Sequence, residues 1–260
     1  FSFFSPTPSP MYSLQRSLAA EIVALYYSHM NVSAEQVRDP ARDRFILSKG
    51  HSVETLYCIL ADKGYFDKNE LMDTYSAFRS RFIGHPNNKI PGIEVNSGSL
   101  GHGLSLAVGM AKAAKMRGEK FRVYTLLGDG ELAEGSVWEG AMAGGHFKLD
   151  NLVALIDRNR LQISGTTEQV MSQDPLELRW TAFGWNVISV PGNDMAAVDA
   201  ALTAAEHTSG KPSVIILNTT KGSGISFMEN NAAWHHKVMT EEQYRMALEE
   251  LEERKAQLNG

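Results

Sequence analysis

The stretch Phe121-Arg-Val-Tyr-Thr-Leu-Leu-Gly-Asp-Gly-Glu131 decides the fold. Phe121–Leu127 is a β-rich apolar run, which predicts a buried strand, and it enters the turn Gly128-Asp129-Gly130 without a spacer. A second run, Asn151–Ile156, has the same character and enters Asp157-Arg158-Asn159-Arg160-Leu161. Residues 131–158, between the two turns, suffice for one crossover helix and one strand. That is what a βαβ unit needs to bring both turns to one crevice. Working outward, helical periodicity predicts helices over 17–30, 52–62, 69–80, 100–117, 131–147 and 194–207. Gly118 is the expected C-cap of the fourth. Asp174-Pro175 opens a further helix that Gly184 ends, and 185–190 and 213–218 predict strands. Strands alternating with helices of this length imply an α/β fold of three layers, αβα, around a mostly parallel sheet.

In such sheets ligands sit beyond the carboxyl ends of the strands. Here the two central strands end in one hard-oxygen side chain each, the Asp129 carboxylate and the Asn159 amide. With the backbone carbonyl of Leu161 they would suit Mg2+ or Ca2+, and Mg2+ ordinarily completes its shell with phosphate oxygens and water. A diphosphate is the natural counterpart. Gly-Asp-Gly by itself is most often a surface turn. The strand before it and the matching Asn after the next strand reverse that reading.

The rest of the chain narrows the class. Its 260 residues carry 25 Lys+Arg against 30 Asp+Glu, a formal charge of −5 that gives no cationic surplus for nucleic acid. The lone Cys58 rules out an internal disulfide framework and fits a reducing, cytoplasmic compartment. No apolar run approaches the ~20 residues that cross a bilayer. Residues 1–16, with prolines at 6, 8 and 10, read as an irregular N-terminal arm, and 17–260 as one domain. Thr240 caps a predicted amphipathic helix reaching Gln257.

Several motifs, in this order, resemble the transketolase branch of the thiamine diphosphate enzymes. They are Ser48-Lys-Gly-His51, Gly84-His85-Pro86, Pro91-Gly-Ile-Glu-Val95, Gly98-Ser-Leu-Gly-His-Gly103, Gly128-Asp-Gly-Glu-Leu-Ala-Glu-Gly135, Asp157-Arg-Asn-Arg160 and Lys221-Gly-Ser-Gly-Ile-Ser226. The resemblance runs over roughly residues 17–250 and is far more specific than any one of its motifs. It implies the thiamine diphosphate-binding fold, with Asp129, Asn159 and the Leu161 carbonyl on Mg2+ (Ca2+ or Mn2+ able to substitute). Gly128, Gly130, Glu131 and Asn159 would line the diphosphate, with His51 and His235 beside it. Gly98, Ser99 and Leu100 would meet the aminopyrimidine ring, Ser99 standing where most of the family has Pro. His51, His85, His102 and His235 are the implied catalytic histidines, and His29, His146 and His207 read as structural. Glu134 has two readings, a helix-opening acid favoured by the dipole or a carboxylate at a dimer interface.

The family's Gly-His-x-Gly-Gly segment is replaced here by Met11-Tyr-Ser-Leu-Gln-Arg-Ser-Leu-Ala-Ala-Glu21, and Tyr12 falls where a substrate-contacting His belongs. The resemblance also implies that a separate pyrimidine-binding domain supplies the Glu that activates the cofactor. The expectation is therefore the N-terminal subunit of a split transketolase, acting on sugar phosphates with a C-terminal partner chain, in an α2β2 assembly. The alternatives are a non-catalytic scaffold and two kinds of related enzyme subunit, 1-deoxyxylulose-phosphate synthase-like or keto-acid dehydrogenase α-like.

Overall fold

A computed structural model describes residues 19–259, His236 excepted. The arm 1–16, with Tyr12, lies outside the described residues. Helix α1 (Ala19–Ala24) continues into a π-helical turn, Leu25–His29, and is followed by β1 (Arg44–Leu47), α2 (Val53–Asp62) and α3 (Lys68–Thr74). Then come α4 (Gly103–Arg117), β2 (Val123–Gly128), α5 (Gly135–His146) and β3 (Leu152–Arg158). A small hairpin of β4 (Leu161–Gln162) and β5 (Gly165–Thr166) leads into α6 (Thr167–Met171) and α7 (Leu176–Ala182). The chain closes with β6 (Asn186–Pro191), α8 (Met195–Glu206), β7 (Ser213–Asn218) and α9 (Glu241–Asn259).

The main sheet has the order β1-β2-β3-β7-β6, and every pairing in it is parallel. Alternate residues of the central strands go to opposite faces, as a pleated strand requires. Tyr124, Leu126, Val153, Leu155, Ile215 and Leu217 pack toward α1, α2 and α8, against residues such as Ile22, Leu56 and Leu202. Val123, Leu127, Leu152, Ile156, Val214 and Ile216 pack toward α4, α5 and α7, against Leu104, Val137 and Trp180. The three-layer αβα expectation stands, and the continuous apolar runs follow from burial on both faces.

Four local departures have physical causes. Strand β1, Arg-Phe-Ile-Leu, went unpredicted because four residues opening on a charge carry too little pattern. Helix α3 stops at Thr74 rather than Ser80, and Ser76 and Arg79 sit at positive φ, 57° and 67°. Helix α4 begins at Gly103 rather than Leu100, since Gly101 at φ +84° turns the chain out of helical geometry. The helix expected over 131–147 is split: Gly130–Ala133 is a 3-10 turn and Glu134 is extended (φ −72°, ψ 128°) before α5. Gly118 does cap α4 in the left-handed region, and Thr240 and Gln243 cap the start of α9 reciprocally.

Candidate active site

The parallel register sets Gly128 opposite Asp157 at the ends of β2 and β3, and Arg158 opposite Asn218 on β7. The Asp129 N–H donates to the Asp157 carbonyl at 3.1 Å. Asp129 is 3% exposed. Its Oδ1 accepts the Gly130 N–H at 2.8 Å, and its Oδ2 accepts the Arg160 N–H at 2.5 Å. Arg160 reaches it because a φ of +63° folds the chain back after β3. Asn159 lies beside it with its amide fixed at both ends: Nδ2 donates to Asp157 Oδ2 at 3.0 Å, and Oδ1 accepts the Leu161 N–H at 3.0 Å. Asp129 and Asn159 thus lie at adjacent strand ends, with the Leu161 N–H bonded to Asn159. Burial, followed by the Asp157 charge, pushes the Asp129 carboxyl up to about 6.

A layer of buried charge lies behind them. Lys49, two residues past β1, places Nζ 2.7 Å from Asp157 Oδ2, and both residues are buried. Burial alone pushes the Asp157 carboxyl up, but the Lys49 charge and the hydrogen bonds from Lys49, Thr219 and Asn159 together outweigh it, and the net position is below the usual carboxylate range. Thr219 donates its hydroxyl to Asp157 Oδ1. The Lys221 ammonium, also buried, is pushed down to about 8, chiefly by burial and then by Lys49. Its Nζ lies 3.2 Å from His235 Nδ1. The His235 ring in turn stacks on His51, with centroids 5.2 Å apart. Two of the expected histidines are thereby brought together next to a cationic side chain.

Glu131 organises the glycine-rich side. Its buried carboxylate accepts the Ser48 hydroxyl, the Gly101 N–H at 2.7 Å and the Gly128 N–H at 3.1 Å. Three segments far apart in sequence are tied by one side chain whose acceptors are taken within the protein. Its structural part is thus to hold these loops together. The close packing leaves no room for larger residues. A Cβ on Gly103 would lie 2.4 Å from the Ser48 Cβ, and one on Gly50 would lie 2.6 Å from Ser97 Oγ and 3.1 Å from Pro86 Cδ. Exposed Gly98 sits against the His85 ring, a Cβ there falling 3.0 Å from His85 Cδ2. Tyr57 donates its hydroxyl to the His85 carbonyl at 3.0 Å. His102 caps α4 as an exposed residue, with Nδ1 3.2 Å from the Leu100 carbonyl and 3.4 Å from Ser99 Oγ. Glu134 is exposed at the start of α5 and makes no side-chain cap.

Sequence reasoning passed over Lys49, Asp157 and Lys221. All three stand inside family motifs, and a charged residue beside an apolar strand end was the available signal. Among the described residues no group of three His, Cys, Asp or Glu side chains could hold a metal ion. The expected ligand set takes only one oxygen from such a side chain, and its carboxylate, amide and carbonyl oxygens are the hard donors that Mg2+ prefers. The residues present therefore fit the implied metal.

A doubly covered parallel sheet with a carboxylate and an amide oxygen at adjacent strand ends, beside buried lysines and stacked histidines, is consistent with the thiamine diphosphate-binding class. Residues 13–254 match the family described as transketolase, thiamine diphosphate binding domain, and the chain belongs to it. It is 52% identical over 233 residues to one of the subunits of the apulose-4-phosphate transketolase of Phocaeicola vulgatus, covering 90% of this chain and 83% of that protein. It is 43% identical over 237 residues to a 6-deoxy-6-sulfo-D-fructose transketolase subunit from a Clostridium species, covering 91% of this chain and 86% of that one. The crystal structure of Pichia stipitis transketolase complexed with sedoheptulose 7-phosphate superposes with a TM-score of 0.80 at 29% identity. That match covers 92% of this chain and 39% of that one, so the chain spans about two fifths of the solved transketolase. Among the described residues no helix is long and apolar enough to cross a membrane.

Proposed function

We propose that the chain is the N-terminal, diphosphate-binding subunit of a split transketolase. With a separate subunit carrying the pyrimidine domain, it transfers a two-carbon ketol unit from a ketose phosphate to an aldose phosphate. The observation that carries this reading is the meeting of Asp129 and Asn159 at adjacent strand ends, beside Lys221 and the stacked His51 and His235. Its likeness over most of its length to subunits named as transketolases supports it.

Asp129, Asn159 and the Leu161 carbonyl would hold Mg2+, with Ca2+ or Mn2+ able to replace it. The Gly130 N–H, His51 and His235 would receive the diphosphate, and Gly98, Ser99 and Leu100 the aminopyrimidine ring. Thiamine diphosphate, when bound, supplies the electron sink for breaking and making the carbon–carbon bond. The chain's own contribution is placement and proton handling. His85, backed by Gly98, and His102, at the opening of α4, would hold a ketose hydroxyl. Imidazoles can act as general acids and bases, and these with His51 would hand protons to and from the bound sugar. Glu134, exposed between the 3-10 turn and α5, would contact a second copy of the chain in an α2β2 assembly. The compartment is the cytoplasm.

The test is to mix the purified chain with candidate partner subunits, thiamine diphosphate and Mg2+, and to assay two-carbon transfer between sugar phosphates. Turnover only in the mixture is expected. Cofactor binding without turnover, with every cognate partner tried, would refute the reading. Asp129→Ala should abolish metal-dependent cofactor binding, and unchanged binding would overturn the ligand assignment.

A further inference from the structure

Asp157 is not among the expected metal ligands, yet it touches both Asp129 and Asn159. Its backbone carbonyl accepts the Asp129 N–H at 3.1 Å. Its side-chain Oδ2 accepts Asn159 Nδ2 at 3.0 Å. The same oxygen receives Lys49 Nζ at 2.7 Å, and Oδ1 receives the Thr219 hydroxyl. The donors come from just past the ends of β1, β3 and β7, three strands of the main sheet. Asp157 itself is 0% exposed.

This arrangement settles which way the Asn159 amide faces. A flipped amide would set its oxygen against the Asp157 carboxylate, lone pair to lone pair, and its NH2 against the Leu161 N–H. Both contacts are repulsive, whereas the observed orientation makes two hydrogen bonds. The amide oxygen is therefore kept off Asp157 and on the Leu161 side. Lys49 neutralises Asp157, and complete burial withholds its carboxylate from the crevice. It is a support for the ligands and not one of them.

We propose that Asp157 is the positioning residue of the metal–diphosphate site, locking the Asn159 amide and docking the Asp129 backbone so that the two oxygens are presented together. The inference rests on the reading that Asp129 and Asn159 hold a divalent cation. Residues that orient ligands in this way ordinarily change metal affinity by ~10–100-fold when replaced.

The experiment is calorimetric titration of the full chain with Mg2+ at saturating thiamine diphosphate, alongside thermal unfolding of the metal-free protein. Asp157→Asn should weaken Mg2+ binding ~10–100-fold. Thr219→Val should weaken it less, and Thr219→Ser should restore it, because the hydroxyl donor returns. If Asp157→Asn alone does not fold, Lys49→Met/Asp157→Asn removes the stranded ammonium, and the same loss of Mg2+ affinity is expected. A residue that only stabilises the fold would lower the unfolding midpoint and leave the Mg2+ affinity of the folded variant unchanged; that result overturns the proposal. A wild-type chain that binds thiamine diphosphate with no dependence on metal would instead overturn the reading beneath it.

Discussion

Replacing Asp129 by Asn should make the metal-free protein more stable at neutral pH while abolishing metal-dependent cofactor binding. Burial, with the Asp157 charge second, raises the Asp129 carboxyl from 3.8 to about 6. The residue is 3% exposed, so solvent does little to screen the effect. Two pKa units correspond to ~3 kcal/mol of destabilisation once the acid is ionised in the folded state. The folded-state pKa lies above the unfolded one, so this group's stabilising contribution is complete below about pH 4 and is lost as pH rises through about 6. Asn carries no charge at any of these pH values. Its amide oxygen can keep one of the two backbone donors, Gly130 or Arg160, while the other meets an NH2 group, at a cost of ~1 kcal/mol. The variant should therefore be ~1–2 kcal/mol more stable than wild type at pH 7.5, and ~1 kcal/mol less stable near pH 3.5. Urea unfolding in the presence of a chelator, followed by tryptophan fluorescence at both pH values, measures the crossover. A stability difference that does not change with pH would refute the electrostatic reasoning. So would a variant less stable than wild type at pH 7.5.

Glu131→Ala strands the buried N–H groups of Gly101 and Gly128, and should cost ~2–4 kcal/mol in urea unfolding. A loss below ~1 kcal/mol would show that the three segments hold together without it. Gly103→Ala sets a methyl group 2.4 Å from the Ser48 Cβ. It should destabilise by ~1–3 kcal/mol despite alanine's helix preference, and an unchanged thermal midpoint would contradict that packing. Lys221 has a folded-state value depressed from 10.5 to about 8, so its ammonium opposes folding below pH 8 and this penalty fades as pH rises toward 10.5. Metal-free wild type should show a stability gain of up to ~3 kcal/mol over that interval that Lys221→Met lacks. Parallel pH profiles for the two proteins would exclude it.

The sheet was legible because its central strands are buried on both faces. Runs such as Val153–Ile156 and Val214–Leu217 admit only apolar residues, and that restriction is written in consecutive positions. Asp129 and Asn159 were legible as strand-end residues for a related reason: a polar side chain at the end of a buried strand follows the run that announces it. The support behind them was not. Lys49 and Asp157 are 108 positions apart in sequence, and their pairing depends on strand order, which local patterns do not encode. Glu131 read only as a residue lining the diphosphate. Its actual partners, Ser48, Gly101 and Gly128, are fixed by tertiary packing. The early stop of α3 had no signal at all in composition, since Ser76 and Arg79 take left-handed conformations that neither residue type favours.

Strand β7 lies between β3 and β6, although it comes after both in the chain. An inner strand of the sheet is thus the last of its strands to be synthesised. Until residues 213–218 emerge from the ribosome, β3 and β6 each face an open edge, and Asp157 has no Thr219 to receive. Lys221 and His235 arrive later still. A nascent chain can therefore wind its early helices and pair β1, β2 and β3 well before it has a cradle to offer. On the proposed reading, cofactor capture would act as a completion signal in biosynthesis, since the residues proposed to receive the diphosphate end with His235, whereas a polypeptide interrupted before residue 213 keeps a bare β3 edge for proteases and chaperones to find.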